Sequence, residues 1–166
     1  MVIDTTVQEK NITYPTDSKL AKKVIDTCRN IAIQEGIPLR QSYSRVTPQL
    51  LRQASNRKSP VQKIKARKAT RRLQTIGRAL VRELVRKMPQ KQISPYAQTL
   101  LDAWSILLQN KTDKHKIYSL HEPHVSCISK GKAHKPFEFG SKVSISRTRD
   151  SGIIPVSYTH LTLPTT

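Results

Sequence analysis

Acids and aromatic rings are scarce in this chain. Of its 166 residues only 11 are Asp or Glu, and Phe, Trp and Tyr together make up 5%. So few rings limit the hydrophobic core to modest aliphatic packing. Five glycines and two cysteines exclude a collagen-like repeat and a disulfide-dense scaffold. Cys28 and Cys127 lie far apart, with no secretory leader before them, so reduced thiols in a cytoplasm are expected. No apolar run approaches the roughly 20 residues of a membrane span, and no membrane partner is expected. Internal repeats are absent. So are the phosphate loop G-x-x-x-x-G-K-[ST], the dinucleotide turn G-x-G-x-x-G and the nucleophile turn G-x-S-x-G.

What the chain has in excess is positive charge. Thirty Lys and Arg give a net charge of +19. The segment 40–91 holds sixteen cations and a single acid, Glu83, and so carries +15 of that total. A solvated helix normally alternates signs to gain i,i+4 pairing. Here like charges fall on neighbouring turns and repel one another. The plain alternative is a solvated face of a long helix. The functional reading is a phosphate-contacting face whose repulsion is relieved when counterions are exchanged for nucleic acid. Lys63, Arg67, Arg71 and Arg78 share one helical face and are the first candidates for phosphate contact.

Apolar spacing and punctuation predict the helices. Thr16 or Asp17 caps a first helix whose stripe is Leu20, Val24, Cys28, Ile31 and Ala32, ended by Gly36 and Pro38. Cys28 on that stripe reads as a core thiol. Thr47-Pro48 signals a second helix and Ser59-Pro60 a third. The third can run to Met88 before Pro89, with Val61, Ile64, Leu73, Ile76, Leu80, Leu84 and Met88 inward and Gly77 marking a bend or close packing. Ser94-Pro95 opens a fourth helix with Tyr96, Leu100, Leu101, Trp104, Leu107 and Leu108, where Trp104 reads as a core anchor.

Short β-prone runs flank this helical block. Residues 2–7 surround Asp4, and residues 11–14 offer a second extended piece. After Lys111 the runs 117–120, 125–128 and 142–146 read as strands, and 149–152 as a hairpin turn before Ile153 and Ile154. His121, His124, Cys127 and His134 invite zinc, but H-x2-H-x2-C fits no standard structural zinc spacing, and H-E-P-H is not H-E-x-x-H. Gly131-Lys132 reads as a basic turn. Taken alone, Asp4 is an acid in a strand, Asp17 a helix cap and Asp150 a turn residue.

Three blocks carry a family resemblance: residues 4–20 (DTTVQEKNITYPTDSKL), 117–132 (IYSLHEPHVSCISKGK) and 135–146 (KPFEFGSKVSIS). In that order they resemble the DDE transposases of bacterial insertion sequences, in the fifth insertion-sequence family. Residues 39–45 (LRQSYSR) are compatible with that family's basic helical insertion. The likeness spans roughly residues 1–154. The last eleven residues (VSYTHLTLPTT) resemble instead the translated read-through of a sequencing-library adapter. They are set outside the fold, with the reading frame expected to break off near Ile154 or Pro155.

The resemblance implies an α/β fold: a partial RNase H-like domain, with a mixed sheet and a large basic helical insertion between the first strands. Residues 1–16 would hold the first strand or strands, 17–110 the insertion, 111–155 a strand-rich return to the core, and 156–166 the adapter-like tail. It implies DNA transposition in a bacterial cytoplasm. Phosphodiester cleavage and strand transfer would act on transposon ends and target DNA, performed by three acids that hold two Mg²⁺ ions about 3.5–4 Å apart. Asp4 matches the first acid, as catalytic residue and metal ligand. The family's second Asp and its later Glu have no counterpart here, and neither Asp150 nor Glu138 sits in a matching position. A lone carboxylate cannot fix two Mg²⁺ ions, so the isolated chain is expected to be inactive but DNA-binding. A homo-oligomer is implied for the full-length protein. The alternative is a non-catalytic basic helical nucleic-acid-binding protein.

Overall fold

A computed structural model describes residues 2–129, 136–147 and 156–158. Two compact units emerge: residues 14–123 are helical, and residues 1–13 with 124–166 contain the strands. Helix and antiparallel sheet together make an α/β chain. Among the described residues no helix is long and apolar enough to cross a membrane.

In the helical unit, α1 (Asp17–Gln34) starts at Thr16, whose Oγ1 accepts the Lys19 N–H. It ends as its punctuation predicts. Gly36 turns left-handed at φ 64, its N–H reaches the Ile33 carbonyl, and the Ile37 N–H reaches that of Ala32 at 2.7 Å. This double bond pattern satisfies carbonyls that the helix end would otherwise leave bare. The second helix, α2 (Val46–Ser55), begins one residue before the expected cap. Thr47 is buried inside the first turn, and both its N–H and its hydroxyl donate to the Tyr43 carbonyl, at 3.0 and 2.8 Å.

The long helix α3 (Pro60–Lys87) obeys its boundary signals. Ser59 Oγ accepts the Gln62 N–H, Pro60 occupies the first turn, and Met88 closes the helix ahead of Pro89. Its inward stripe is shorter than expected. Val61 and Ile64 are 61% and 55% exposed, and the buried face begins at Ala66 and Ala69. A short helix α4 (Gln90–Ile93) and a 3₁₀ turn (Ser94–Tyr96) precede α5 (Ala97–Leu108), where one continuous helix from Ser94 was expected. The Tyr96 hydroxyl donates to Glu35 Oε1 at 2.7 Å and ties this turn to the end of α1; the bond holds the phenol's proton and raises its pKa.

One apolar cluster joins α1, α3 and α5. Val24, Ile25, Cys28, Leu73, Leu80 and Leu84 lie at its centre, and Trp104 packs half-buried at its margin. Gly77 is the point of closest approach: a Cβ there would lie 2.9 Å from a Leu107 methyl. Close packing, of the two expectations for this glycine, is what the helix pair shows.

Residues 117–120 are not a strand. The Gln109 side chain takes both backbone groups of Ile117, accepting its N–H at 3.0 Å and donating to its carbonyl at 3.1 Å. Leu120 then enters the helical core. With its N–H and carbonyl already bonded, Ile117 has no backbone group left to offer a neighbouring strand. The extended piece at 11–14 likewise forms no strand.

The other unit is a sheet of β1 (Val2–Glu9), β2 (Ser126–Ser129), β3 (Phe137–Arg147) and β4 (Val156–Tyr158). β3 is its centre. Gly140 pairs with Glu9 on one edge and Ser126 on the other, while β4 pairs with residues 144–146. Every described pairing is antiparallel, so the mixed sheet expected from the resemblance is not present among the described residues. Val156–Tyr158 belongs to the tail that sequence reading set outside the fold. An unpaired β3 edge accepts any extended segment within reach, which accounts for that strand. At Gly140 a Cβ would collide with the Gln8 carbonyl oxygen, so no larger residue fits the β1–β3 ladder there. The expected turn at 149–152 and strand at 153–154 lie outside the described residues.

Substitutions at Gly77 should separate helix propensity from packing. Gly77→Ala is expected to be nearly neutral, because a helical alanine gains up to about 1 kcal/mol against a methyl group that can yield. Gly77→Val is expected to cost about 1–3 kcal/mol by overpacking. Adding Leu107→Ala should recover part of that loss. Urea unfolding followed by circular dichroism checks this; strictly additive effects would exclude the contact as the cause.

Candidate nucleic-acid interface

Helical geometry puts the four predicted contacts together. At about 100° per residue, Lys63, Arg67, Arg71 and Arg78 occupy an arc of about 80° on α3. The first three are exposed and Arg78 is half-buried. The arc extends further than sequence reading proposed. Arg82 and Arg86 continue it at i+4 steps, and the Arg82 guanidinium donates back to the Arg78 carbonyl at 3.3 Å. Thr75 fills the intervening turn and bonds the Arg71 carbonyl. From Lys63 to Arg86 the stripe is about 35 Å long at 1.5 Å per residue. That is close to one turn of duplex DNA, about 34–36 Å. The same i+4 arithmetic on the sequence would have found the two added arginines.

None of the six stripe cations has a carboxylate partner among the described residues. Glu83, the acid nearest in sequence, is committed elsewhere. Its Oε1 accepts the Arg40 backbone N–H and the Lys87 ammonium, both at 2.7 Å, and Lys87 also donates to the Pro38 carbonyl. The Lys87 bond is the main reason its carboxyl is held below the usual carboxylate range. Partial burial opposes the shift, and the Arg40 N–H adds to it. Glu83 therefore pins the segment after α1 to the end of α3; of the stripe it meets only the field of Arg86, with no hydrogen bond or ion pair to it among the described residues.

A second basic wall borders the stripe on the same helix. Lys65, Lys68 and Arg72 line a groove of about 630 Å³ between α2 and α3, together with Leu50, Gln53, Asn56, Gln62 and Ala69. Sequence reading missed this groove, because its existence depends on where α2 packs.

The acids and thiols are arranged less suggestively. Asp4 stands in β1 opposite Ile145. Strand alternation places position 4 on the face shared with positions 139, 143 and 145, and position 138 on the other face. Glu138 is buried, and among the described residues no three of His, Cys, Asp and Glu converge. Asp17 opens α1 as a first-turn acid beside its Thr16 cap. His121 Nδ1 lies 2.7 Å from Ser119 Oγ. Asp150, His134 and Gly131-Lys132 lie outside the described residues. Cys28 is fully buried, and desolvation pushes its thiol up to about 12, which suits a core residue and not a nucleophile.

No family model matches the chain, and no solved structure matches it. A stretch of 44 residues is 50% identical to "Uncharacterized protein ORF8 in nfe locus" of Rhizobium meliloti. That stretch covers 26% of this chain and 21% of the Rhizobium protein. The chain therefore matches about a fifth of the length of this curated relative.

The Glu83 clamp should be visible in the acid limb of stability. A carboxyl whose folded pKa is depressed contributes stability above its unfolded pKa, and loses it as pH falls through the folded value. Glu83→Gln should therefore lower stability near neutral pH, and the difference from the wild type should close as pH drops below the usual carboxylate range. Thermal unfolding of both proteins across that window is the measurement. A pH-independent difference would mean that packing, not charge, is lost.

Proposed function

We propose that this chain is part of a DNA transposase of the insertion-sequence DDE type, and that it holds DNA through the outer face of α3. The observation that carries the DNA-binding part is the uncompensated stripe of Lys63, Arg67, Arg71, Arg78, Arg82 and Arg86, about one duplex turn long. Cations recurring along one helix side, broken only at Thr75, suit phosphate contacts, which set affinity and register without specifying bases. The transposase part rests on the three sequence blocks and on Asp4 standing in a strand ahead of a long basic helical segment. Under this reading the sheet is the opening of an RNase H-like core, and the acids that complete its chemistry belong to residues this chain does not contain. Mg²⁺ is then a cofactor of the full-length protein, and DNA ends and target DNA are its partners.

One observation favours the second reading, a non-catalytic basic nucleic-acid-binding protein. The whole stripe lies within residues 14–123, a compact unit that does not include Asp4. Binding alone cannot separate the two readings, but chemistry can. The chain as it stands is expected to leave terminal-repeat DNA uncut with Mg²⁺ or Mn²⁺. Restoring the uninterrupted genomic reading frame should confer cleavage that Asp4→Asn abolishes. If the extended protein is also inert, the transposase reading fails and the binding reading stands.

Affinity for duplex DNA should fall steeply with salt. Each phosphate contact removed lowers the slope of log K against log salt by about 0.9. Arg67→Gln with Arg71→Gln is expected to lose that amount per contact and to weaken all DNA sequences alike. Lys19→Gln with Lys23→Gln, an equal charge change on α1, should leave the slope unchanged. Fluorescence anisotropy at several salt concentrations reads both. An identical response from the two pairs would assign the binding to net charge and not to the stripe.

A further inference from the structure

We infer that the groove between α2 and α3 is a nucleotide site, and that it takes an unpaired adenine nucleotide of a single strand. This does not depend on the transposase reading, and its wall of Lys65, Lys68 and Arg72 borders the duplex-binding stripe on α3. Three features of the groove combine. Lys65, Lys68 and Arg72 supply cations on one wall, and no carboxylate lines the groove to neutralise them. None of these three has an acid partner among the described residues. Such a wall calls for a phosphate.

The second feature is the set of amides. Gln53, Asn56 and Gln62 line the same space. An inorganic anion or an acidic peptide has no need of three side chains that each offer a donor and an acceptor. A base edge does, and Gln or Asn pairs with the N6 and N7 of adenine through that combination. Gln62 adds a second observation: its Oε1 is buried with no hydrogen bond among the described residues. A buried amide oxygen without a donor is unfavourable. A small turn of the side chain toward an exocyclic amine in the groove would satisfy it.

The third feature is shape. Leu50 and Ala69 give the groove an apolar surface against which a base can lie, and a volume of about 630 Å³ accommodates a ligand of nucleotide size. A base still paired within a duplex cannot enter a cleft between two helices, so the occupant is an unpaired base.

The test uses the full chain and a fluorescent octadeoxyadenylate, competed with dAMP, dTMP or inorganic phosphate. We expect dAMP to compete at lower concentration than dTMP, and inorganic phosphate to compete poorly. Lys68→Gln with Arg72→Gln should weaken dAMP about tenfold or more, since charge-assisted bonds are lost. Arg67→Gln with Arg71→Gln makes the same charge change on the stripe. It should leave dAMP within about twofold while duplex binding falls. Gln62→Leu should erase the preference for dAMP over dTMP, with helicity by circular dichroism unchanged because the Ser59 cap uses the Gln62 backbone. Inorganic phosphate competing as well as dAMP would reduce the groove to a bare anion site and overturn the inference. So would equal losses in the two charge variants, or no competition by dAMP at all. Because duplex binding by the stripe is read in the same series, failure of the groove and failure of the proposed DNA-binding face give different patterns.

Discussion

One helix with two incompatible sides governs this molecule. The outer side of α3 carries cations that repel along its length, and its inner side carries the aliphatic residues that join α1 and α5. The repulsion is modest. Like-charge pairs four residues apart cost about 0.2–0.5 kcal/mol each, so Lys63–Arg67, Arg67–Arg71, Lys68–Arg72, Arg78–Arg82 and Arg82–Arg86 together cost about 1–2.5 kcal/mol. Burial of Leu73, Ile76, Leu80 and Leu84 contributes about 1.5–3 kcal/mol for each side chain. The inner face therefore wins with room to spare, and the helix can hold a charge pattern that an isolated peptide would not sustain. Glu83 serves the junction with the Pro38 segment and, among the described residues, makes no ion pair with a stripe cation.

What could be read from the residues and what could not divides along one line: local chemistry was legible and tertiary placement was not. Ser59-Pro60, Met88-Pro89 and the Gly36 turn mark helix ends because capping involves only atoms a few residues apart. The stripe from Lys63 to Arg78 follows from helical spacing alone. Cys28 on an apolar stripe led directly to a buried thiol. Val61 and Ile64 misled, because at about 100° per residue they fall about 60° and 120° outside the arc of Leu73, Ile76, Leu80 and Leu84, on the side that carries the cations. Thr47 was read as a cap and lies inside the first turn, since Tyr43, with a positive φ of 55, brings its carbonyl under that residue. Residues 117–120 have the composition of a strand, but Gln109 takes both backbone groups of Ile117 and Leu120 enters the helical core. The α2–α3 groove could not be seen at all without the packing of α2.

The sheet makes the same point for the candidate chemistry. Asp4 was placed in a strand by its β-branched neighbours, and it is in one. Whether it has carboxylate company is a matter of register, which the residues alone do not reveal. The β1–β3 ladder puts position 4 and position 138 on opposite faces, and Gly140 fixes that ladder by admitting the Gln8 carbonyl where any side chain would collide. A slip of one residue would move position 4 to the other face, and the crowding at Gly140 resists it. The register of the β1–β3 ladder is thus guarded by a glycine two residues from Glu138.

Charge and carboxylate chemistry are therefore carried by different parts of the chain. The basic residues sit on a helix whose stability comes from contacts within residues 14–123, while Asp4 depends on strand pairing with residues 140–147. Neutralising the stripe with a polyanion would relieve repulsion on α3 itself, so any free energy gained there is gained by the helical fold as well as by the complex. Nothing in that exchange requires the acid. Affinity for nucleic acid and competence to cut it are consequently separable properties of such a chain. The presence of the first is no argument for the second, since the cations need only a helix to display them, whereas two-metal chemistry needs several carboxylates brought to one face of a sheet.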